Sequence, residues 1–319
     1  MTAGRPDAKV TTMKHALSSP PNREDRPARS YTVAGHAVEV PGLAAGLHIV
    51  ATPIGNLGDI TLRGLAALAG ADLIACEDTR VTRRLLDRYA ISVPLTSYHD
   101  HNAESARPKL LRRLAEGAGI ALVSDAGTPL VSDPGYKLVR AAQDADCRVV
   151  PVPGASALLA ALVAAGLPTD RFLFAGFPPA KTNARRAMFE ELAATPATLI
   201  FYETGARLAE SLADMLAVFG DRPAALAREL TKLYEAVRRS PLAELAEAVA
   251  ISGAPKGELV VLVGAADARP APSEAAIDAA LREALAQMSV SAAADEVSEQ
   301  LGVARRAVYA RALALKDAR

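Results

Sequence analysis

The chain has 319 residues, half of them hydrophobic and 23% charged, and its 36 basic and 36 acidic side chains balance to a formal net charge of zero. That composition is globular, and it excludes a general surface attraction for anions, so any nucleic-acid contact must come from local patches. Two cysteines far apart and 4% aromatics without Trp exclude a disulfide framework, a structural zinc and a binder built on base stacking. Residues 1–45 read as a disordered N-terminal extension: Pro6, Pro20, Pro21 and Pro27 stand among scattered charges, and there is no apolar core of a secretory signal.

From residue 46 short β-rich runs alternate with amphipathic patterns, the signature of a parallel α/β sheet. Leu47–Thr52 is predicted as a strand. A helix follows over Thr61–Leu68, with Asp59 or Thr61 as N-cap and Gly70 at its close. Asp72–Cys76, Ile120–Ser124 and Arg148–Val152 are further strands. Val81–Tyr89, Glu104–Glu116, Gly135–Ala145 and Ala155–Ala165 are helices. This first α/β domain spans 46–167. A second, over 168–267, has a mixed sheet built from Phe172–Ala175, Thr198–Tyr202, Ala224–Arg228, Tyr234–Arg238 and Glu258–Val263, with a helix over Arg185–Ala193. Residues 268–319 form a Pro-Ala linker and an all-helical tail, in which Ala292–Gln300, a turn at Leu301-Gly302 and Ala304–Leu315 make a helix-turn-helix pair. The most apolar stretch, Val149–Gly166, contains Pro151 and Pro153 and is too short to span a membrane, so no membrane association is expected.

Three strand ends carry Pro/Gly turns: Pro53-Ile54-Gly55-Asn56, Asp125-Ala126-Gly127-Thr128-Pro129 and Val152-Pro153-Gly154-Ala155-Ser156. In a parallel sheet these ends share one edge, where ligands bind beyond the strands and small residues let them approach the backbone. None is a GxGxxG fingerprint and no P-loop is present. Acidic and basic groups follow the second strand as Glu77, Asp78 and Arg80, which serve equally as a helix N-cap or as a site. His99 and His101 alternate along an extended segment, and no third ligand at metal spacing accompanies them, so no metal is expected. Between Arg80 and Arg113 eight basic side chains, Arg83 and Arg84 among them, face three acidic ones. A second basic cluster comprises Lys181, Arg185 and Arg186, and a third lies in the tail.

The run Ile49–Thr61 strongly resembles the opening of the bacterial small-subunit rRNA 2′-O-ribose methyltransferases of the tetrapyrrole methylase superfamily. The resemblance continues in order through Cys76-Glu77-Asp78-Thr79-Arg80, Tyr98-His99-Asp100-His101-Asn102, Leu122–Pro129, Ser132–Tyr136, Val152-Pro153-Gly154, Leu199-Ile200-Phe201-Tyr202-Glu203 and Arg228-Glu229-Leu230-Thr231-Lys232. It implies two α/β domains of the tetrapyrrole methylase type with S-adenosyl-L-methionine in the cleft between them, plus the helical tail. It further implies a cytoplasmic homodimer acting on a cytidine ribose of 16S rRNA within the small ribosomal subunit. Carried over by motif, the cofactor loops are Pro53, Gly55 and Asn56; Asp125, Ala126, Gly127 and Thr128; and Pro153, Gly154, Ala155 and Ser156. Glu77, Asp78, Arg80, His99 and His101 are the catalytic candidates, and Arg83, Arg84, Lys181, Arg185 and Lys232 the RNA-binding ones. The chain departs from the pattern after Glu203, where Ala206 precedes Arg207 in place of the family's histidine. A precorrin-type small-molecule methyltransferase and a non-catalytic ribosome-assembly binder are the alternatives. The basic clusters weigh against the first and the intact cofactor loops against the second.

Overall fold

The computed structural model describes residues 29–132, 135–253, 255–266 and 272–317. The proline-rich stretch ahead of Arg29, most of the linker, and Asp133-Pro134 lie outside the described residues. The expectation of a disordered segment running to residue 45 is corrected. Strands β1 (Arg29–Val33) and β2 (His36–Val40) form an antiparallel hairpin. Its two-residue turn puts Ala34 and Gly35 at φ +50° and +82°, the left-handed pair that a tight hairpin requires. Tyr31 and Val40 are buried against the first sheet's helices, and the Thr32 N–H donates to the Tyr89 carbonyl at 2.7 Å. The alternation of Tyr31 with Val33 and of Val38 with Val40 gives the hairpin one apolar face, which anchors it.

The first sheet is wholly parallel, in the order β5-β4-β6-β3-β7, from β3 (Gly46–Val50), β4 (Leu73–Cys76), β5 (Leu95–Ser97), β6 (Gly119–Val123) and β7 (Val149–Val152). Both faces are covered, which is why its strands read as continuous apolar runs. Val50, Ile74, Cys76, Ala121 and Val123 pack under α1 (Leu62–Gly70) and α2 (Thr79–Arg88). Leu47, Leu73, Ala75, Ile120 and Leu122 pack under α3 (Ala103–Ala115) and α4 (Tyr136–Asp144). Thr61, not Asp59, caps α1, its hydroxyl accepting from Gly64 N–H at 2.9 Å. Because β6 lies between β3 and β4, the loops leaving β3 and β6 stand side by side at the carboxyl edge.

The second sheet is mixed, in the order β11-β10-β12-β9-β8, from β8 (Phe172–Phe174), β9 (Thr198–Thr204), β10 (Pro223–Arg228), β11 (Ala236–Pro241) and β12 (Glu258–Val263). Only β8 and β9 run parallel. One face holds Phe201, Leu226 and Val261 beneath α6 (Thr182–Leu192), α7 (Gly205–Phe219) and α8 (Leu242–Ser252). The other holds Ile200, Ala225, Val260 and Leu262 against Leu158, Ala161 and Leu162 of α5 (Ala157–Ala164), together with Ile54 from the loop after β3. An element of the first half thus completes the core of the second, and both sheets lie within one compact unit.

The tail is a separate compact unit of three helices, α9 (Glu274–Ala284), α10 (Val290–Leu301) and α11 (Arg305–Asp317). Ser273 and Ser289 cap α9 and α10, and Gly302 at φ +64° turns α10 into α11. Leu281, Ala293, Val297, Val308 and Ala312 form its core.

Candidate active site

The three Pro/Gly loops are laced together by backbone atoms. Thr52 and Gly127 exchange a pair of N–H···O bonds at 2.8 and 3.0 Å, and the Thr52 hydroxyl donates to the Ser124 carbonyl. The Thr128 hydroxyl donates to the Ala155 carbonyl at 3.1 Å, joining the second loop to the third. Across from them Tyr202 Oη accepts from the Leu158 N–H at 3.2 Å, which fixes the start of α5 against the second sheet. Between these groups lies a cavity of about 350 Å³, within the size range of small-molecule sites. Ile54, Ala126, Gly127, Thr128, Ser156 and Ala157 line one wall, and Phe177, Tyr202, Glu203, Leu230, Gly257, Glu258 and Val260 belong to the other.

Of the loop residues singled out from sequence, Ala126, Gly127, Thr128 and Ser156 line this cavity, whereas Pro53, Gly55, Asn56, Asp125, Pro153, Gly154 and Ala155 do not. At the two glycines the missing Cβ makes room for neighbouring residues of the chain. A Cβ on Gly154 would stand 3.1 Å from the Ala51 Cβ, and one on Gly55 would stand 2.4 Å from Lys232 Cγ. Asn56 accepts from Gly58 N–H and opens a short helical turn. Gly127, at φ +81°, lines the cavity, and a Cβ added there would stand 3.3 Å from Ile54 Cγ2. The wall from the second sheet was missed in the sequence. The signal was there in Pro255-Lys256-Gly257 ahead of β12, where Gly257 adopts φ +110°.

Glu77, Asp78, Arg80, His99 and His101 follow β4 and β5 on the same edge, and none lines the cavity. Asp78 is the N-cap of α2: its carboxylate accepts from Arg80 N–H at 2.8 Å and from the Arg80 guanidinium at 2.6 Å. Those bonds to Arg80 hold its pKa down to about 2. The Asp78 N–H in turn donates to Asp125 Oδ1 at 2.9 Å, tying this turn to the second loop. A carboxylate so acidic is a poor proton acceptor at neutral pH, so its chemistry is electrostatic and orienting. Arg80 points outward, 86% exposed. His99 and His101 lie edge to face with ring centroids 5.9 Å apart. His99 Nδ1 is buried and has no partner among the described residues, and the backbone N–H of His99 donates to Asn102 Oδ1 at 3.0 Å. No cluster of three or more metal-ligating side chains exists among the described residues.

The basic candidates separate. Arg83, Arg84 and Lys181 are exposed. Arg185 is not, and the reading of it as an RNA contact is corrected: it is 1% exposed, held by Asp214 at 2.6 Å and donating to the Ala180 carbonyl. It shares the buried stripe of α6 with Phe189, and a charge there needs a buried partner. Lys232 is half-buried between Glu229 and Glu258. Ala206 is exposed in the first turn of α7. Beside it Arg207 donates to the Pro178 carbonyl and pairs with Glu203, whose buried carboxylate also accepts from Ser211.

A profile of tetrapyrrole (corrin/porphyrin) methylases matches residues 46–246, and one of the RsmI C-terminal HTH domain matches residues 271–316. The chain is 55% identical over 282 residues to a ribosomal RNA small subunit methyltransferase I of Mesorhizobium japonicum, covering 88% of this chain and 96% of that protein. It is 50% identical to a protein of that name from Pseudomonas aeruginosa, over 85% of this chain and 97% of the other. Among solved structures, a cobalt precorrin-4 methyltransferase superposes with a TM-score of 0.52 at 19% identity, over 68% of this chain and 94% of that one. The methyltransferase CobJ gives 0.53 at 22% identity, over 72% and 97%. These structural likenesses speak to the fold.

Proposed function

Because the chain belongs to the tetrapyrrole methylase family and, within it, to the ribosomal RNA small subunit methyltransferase I proteins, we propose that it methylates the ribose 2′-hydroxyl of a cytidine in 16S rRNA. The methyl donor is S-adenosyl-L-methionine, whose sulfonium supplies an electrophilic methyl group. The observation that carries the reading is the cavity between the two sheets, with its backbone-rich wall of Ala126, Gly127 and Thr128. Its volume of about 350 Å³ and the bare Gly127 suit a compact polar cofactor met through main-chain groups. Ala126, Gly127, Thr128 and Ser156 would hold it from one side and Tyr202 and Val260 from the other.

On the acceptor side the protein's task is placement, because in-line geometry dominates the barrier once the methyl is activated. Asp78 and Arg80 form a fixed dipole at the α2 N-terminus, anchored to the second loop through Asp125. His99 and His101, which follow β5 on the same edge, are the side chains proposed to position the ribose or take the hydroxyl proton. Arg83, Arg84 and Lys181 offer exposed charge to the RNA backbone. The exposed Leu159 and Val163 on α5 support a homodimer, and the assembled small subunit in the cytoplasm is the setting that the reading entails.

The test is transfer of labelled methyl from S-adenosyl-L-methionine to small ribosomal subunits made without this gene, with the nucleotide identified by mass spectrometry. A 2′-O-methylcytidine is the expected product. Cofactor binding without transfer would overturn the rRNA reading and direct the search to tetrapyrrole acceptors.

A further inference from the structure

The turn between β10 and β11 meets the first residue of β12 in a group of three charges that the scheme above leaves without a task. Lys232 Nζ lies 3.0 Å from Glu229 Oε1 and 2.9 Å from Glu258 Oε2. The two carboxylates are not equivalent. That of Glu229 is 19% exposed and its Oε1 also accepts from Glu258 N–H at 3.0 Å, so it is a fixed anchor. That of Glu258 is 75% exposed, lies at the wall of the cavity, and has Lys232 as its ion-pair partner among the described residues.

The lysine is delivered to this spot by construction. Its stem lies across Gly55, where a Cβ would approach Cγ to 2.4 Å and Cε to 2.7 Å. Glu229 and Thr231 hold φ of +49° and +66°, a conformation uncommon for side-chain-bearing residues and concentrated at functional turns. Thr231 N–H donates to Glu235 Oε2 at 2.5 Å and closes the turn. Burial opposes the charge on Lys232, but its bonds to Glu258 and Glu229 outweigh that and raise its pKa, so it stays a cation throughout the physiological range.

Resting on the rRNA reading, we propose that Lys232 takes a backbone phosphate of the acceptor strand, and that the Glu258 carboxylate occupies its place until the RNA arrives. An exposed ion pair contributes little to stability, so exchanging one oxyanion for another is nearly free. Glu229 keeps the ammonium aimed during the exchange, and the exposure of Glu258 lets its carboxylate swing into solvent. Glu258 is therefore a competitor of the substrate, and its removal should have the opposite sign to removal of Lys232. A purely structural clasp would give both the same sign.

The experiment uses the full-length protein as wild type, Lys232→Met, Lys232→Arg and Glu258→Gln. Binding to unmodified small ribosomal subunits is followed across a KCl series, with S-adenosyl-L-methionine affinity measured separately. Lys232→Met should weaken binding roughly tenfold and flatten the slope of log K against log[KCl] by about 1, whereas Lys232→Arg should keep the slope. Glu258→Gln should tighten binding about threefold, since one local negative charge is gone. An unchanged slope in Lys232→Met, or a Glu258→Gln that weakens binding in step with it, overturns the assignment. So does an effect confined to cofactor affinity, which would place the pair in the cofactor pocket. A wild-type protein that binds no small subunits would sink the rRNA reading itself, an outcome distinct from altered slopes.

Discussion

Asp214→Ala is expected to be among the most destabilising single changes in the larger unit. Asp214 and Arg185 are 4% and 1% exposed and stand 2.6 Å apart, with Arg186, half in solvent, holding the second carboxylate oxygen at 2.6 Å. Removing the carboxylate leaves a buried guanidinium with the exposed Glu210 and the Ala180 carbonyl alone. Breaking a buried pair from one side costs about 3–5 kcal/mol. At about 2–4 °C per kcal/mol for a unit of this size, the melting temperature should fall by roughly 6–20 °C. Arg185→Met should cost less, about 1–3 kcal/mol, because Arg186 still satisfies Asp214 and the thioether fills the vacated stem. Burial alone would raise the Asp214 pKa, yet hydrogen bonds from Arg186 and Arg185 bring it below the usual carboxylate range. Its contribution is therefore fully present above the unfolded pKa of about 4, and is lost as the pH falls through the folded value. The deficit of Asp214→Ala should accordingly be complete at neutral pH and narrow in acid. Thermal melts followed by circular dichroism, paired with a salt titration of RNA binding, decide the matter. If Arg185→Met melts with the wild type and weakens RNA binding, Arg185 belongs to the RNA surface and the burial argument fails.

Gly127→Ala places a Cβ at φ +81° against Ile54 and into the cavity wall. It should add about 1–2 kcal/mol of backbone strain and raise the cofactor Kd by roughly tenfold, read by calorimetry. Asp78→Ala should cut turnover roughly tenfold or more while the cofactor Kd stays within about twofold; a collapse of cofactor affinity would instead make Asp78 part of the scaffold beneath the second loop, through Asp125. Leu281→Ala empties the centre of the tail core at a cost of about 2–5 kcal/mol. Hydrogen exchange should then show loss of protection in α9–α11, and equal loss across both sheets would argue against a tail that folds as its own unit.

The parallel sheet was readable because its strands are short apolar runs closed by Pro/Gly turns, and both signals are local. The hairpin at Arg29–Val40 was not, because its turn is Ala34-Gly35 and its large apolar residues, Tyr31 and Val33 on one strand and Val38 and Val40 on the other, are too few to stand out beside a proline-rich neighbourhood. Helices α7 and α8 escaped notice behind the motif residues of β9 and β10, though Leu208, Leu212, Met215 and Phe219 keep a helical period.

The site divides along the same line. Its first wall is built from contiguous turns, whereas its second comes from the ends of antiparallel strands that meet only in three dimensions, Tyr202 from β9 and Gly257 beside β12. Arg185 shows how a local reading misleads: arginine in a helix suggests solvent, and its partner Asp214 lies 29 positions away. Its spacing to Met188, Phe189 and Leu192 nevertheless repeats the i, i+3, i+4, i+7 pattern of a buried stripe. A charge on such a stripe implies a buried counter-charge on the next helix, and α7 supplies it. The same logic bounds the RNA surface proposed above. Arg83, Arg84 and Lys181 are exposed and have no ion pair among the described residues, while Lys232 is paired with an exposed carboxylate. The charges free to meet a phosphate are thus those whose partners are absent or easily displaced, and that criterion can be read only from the folded chain.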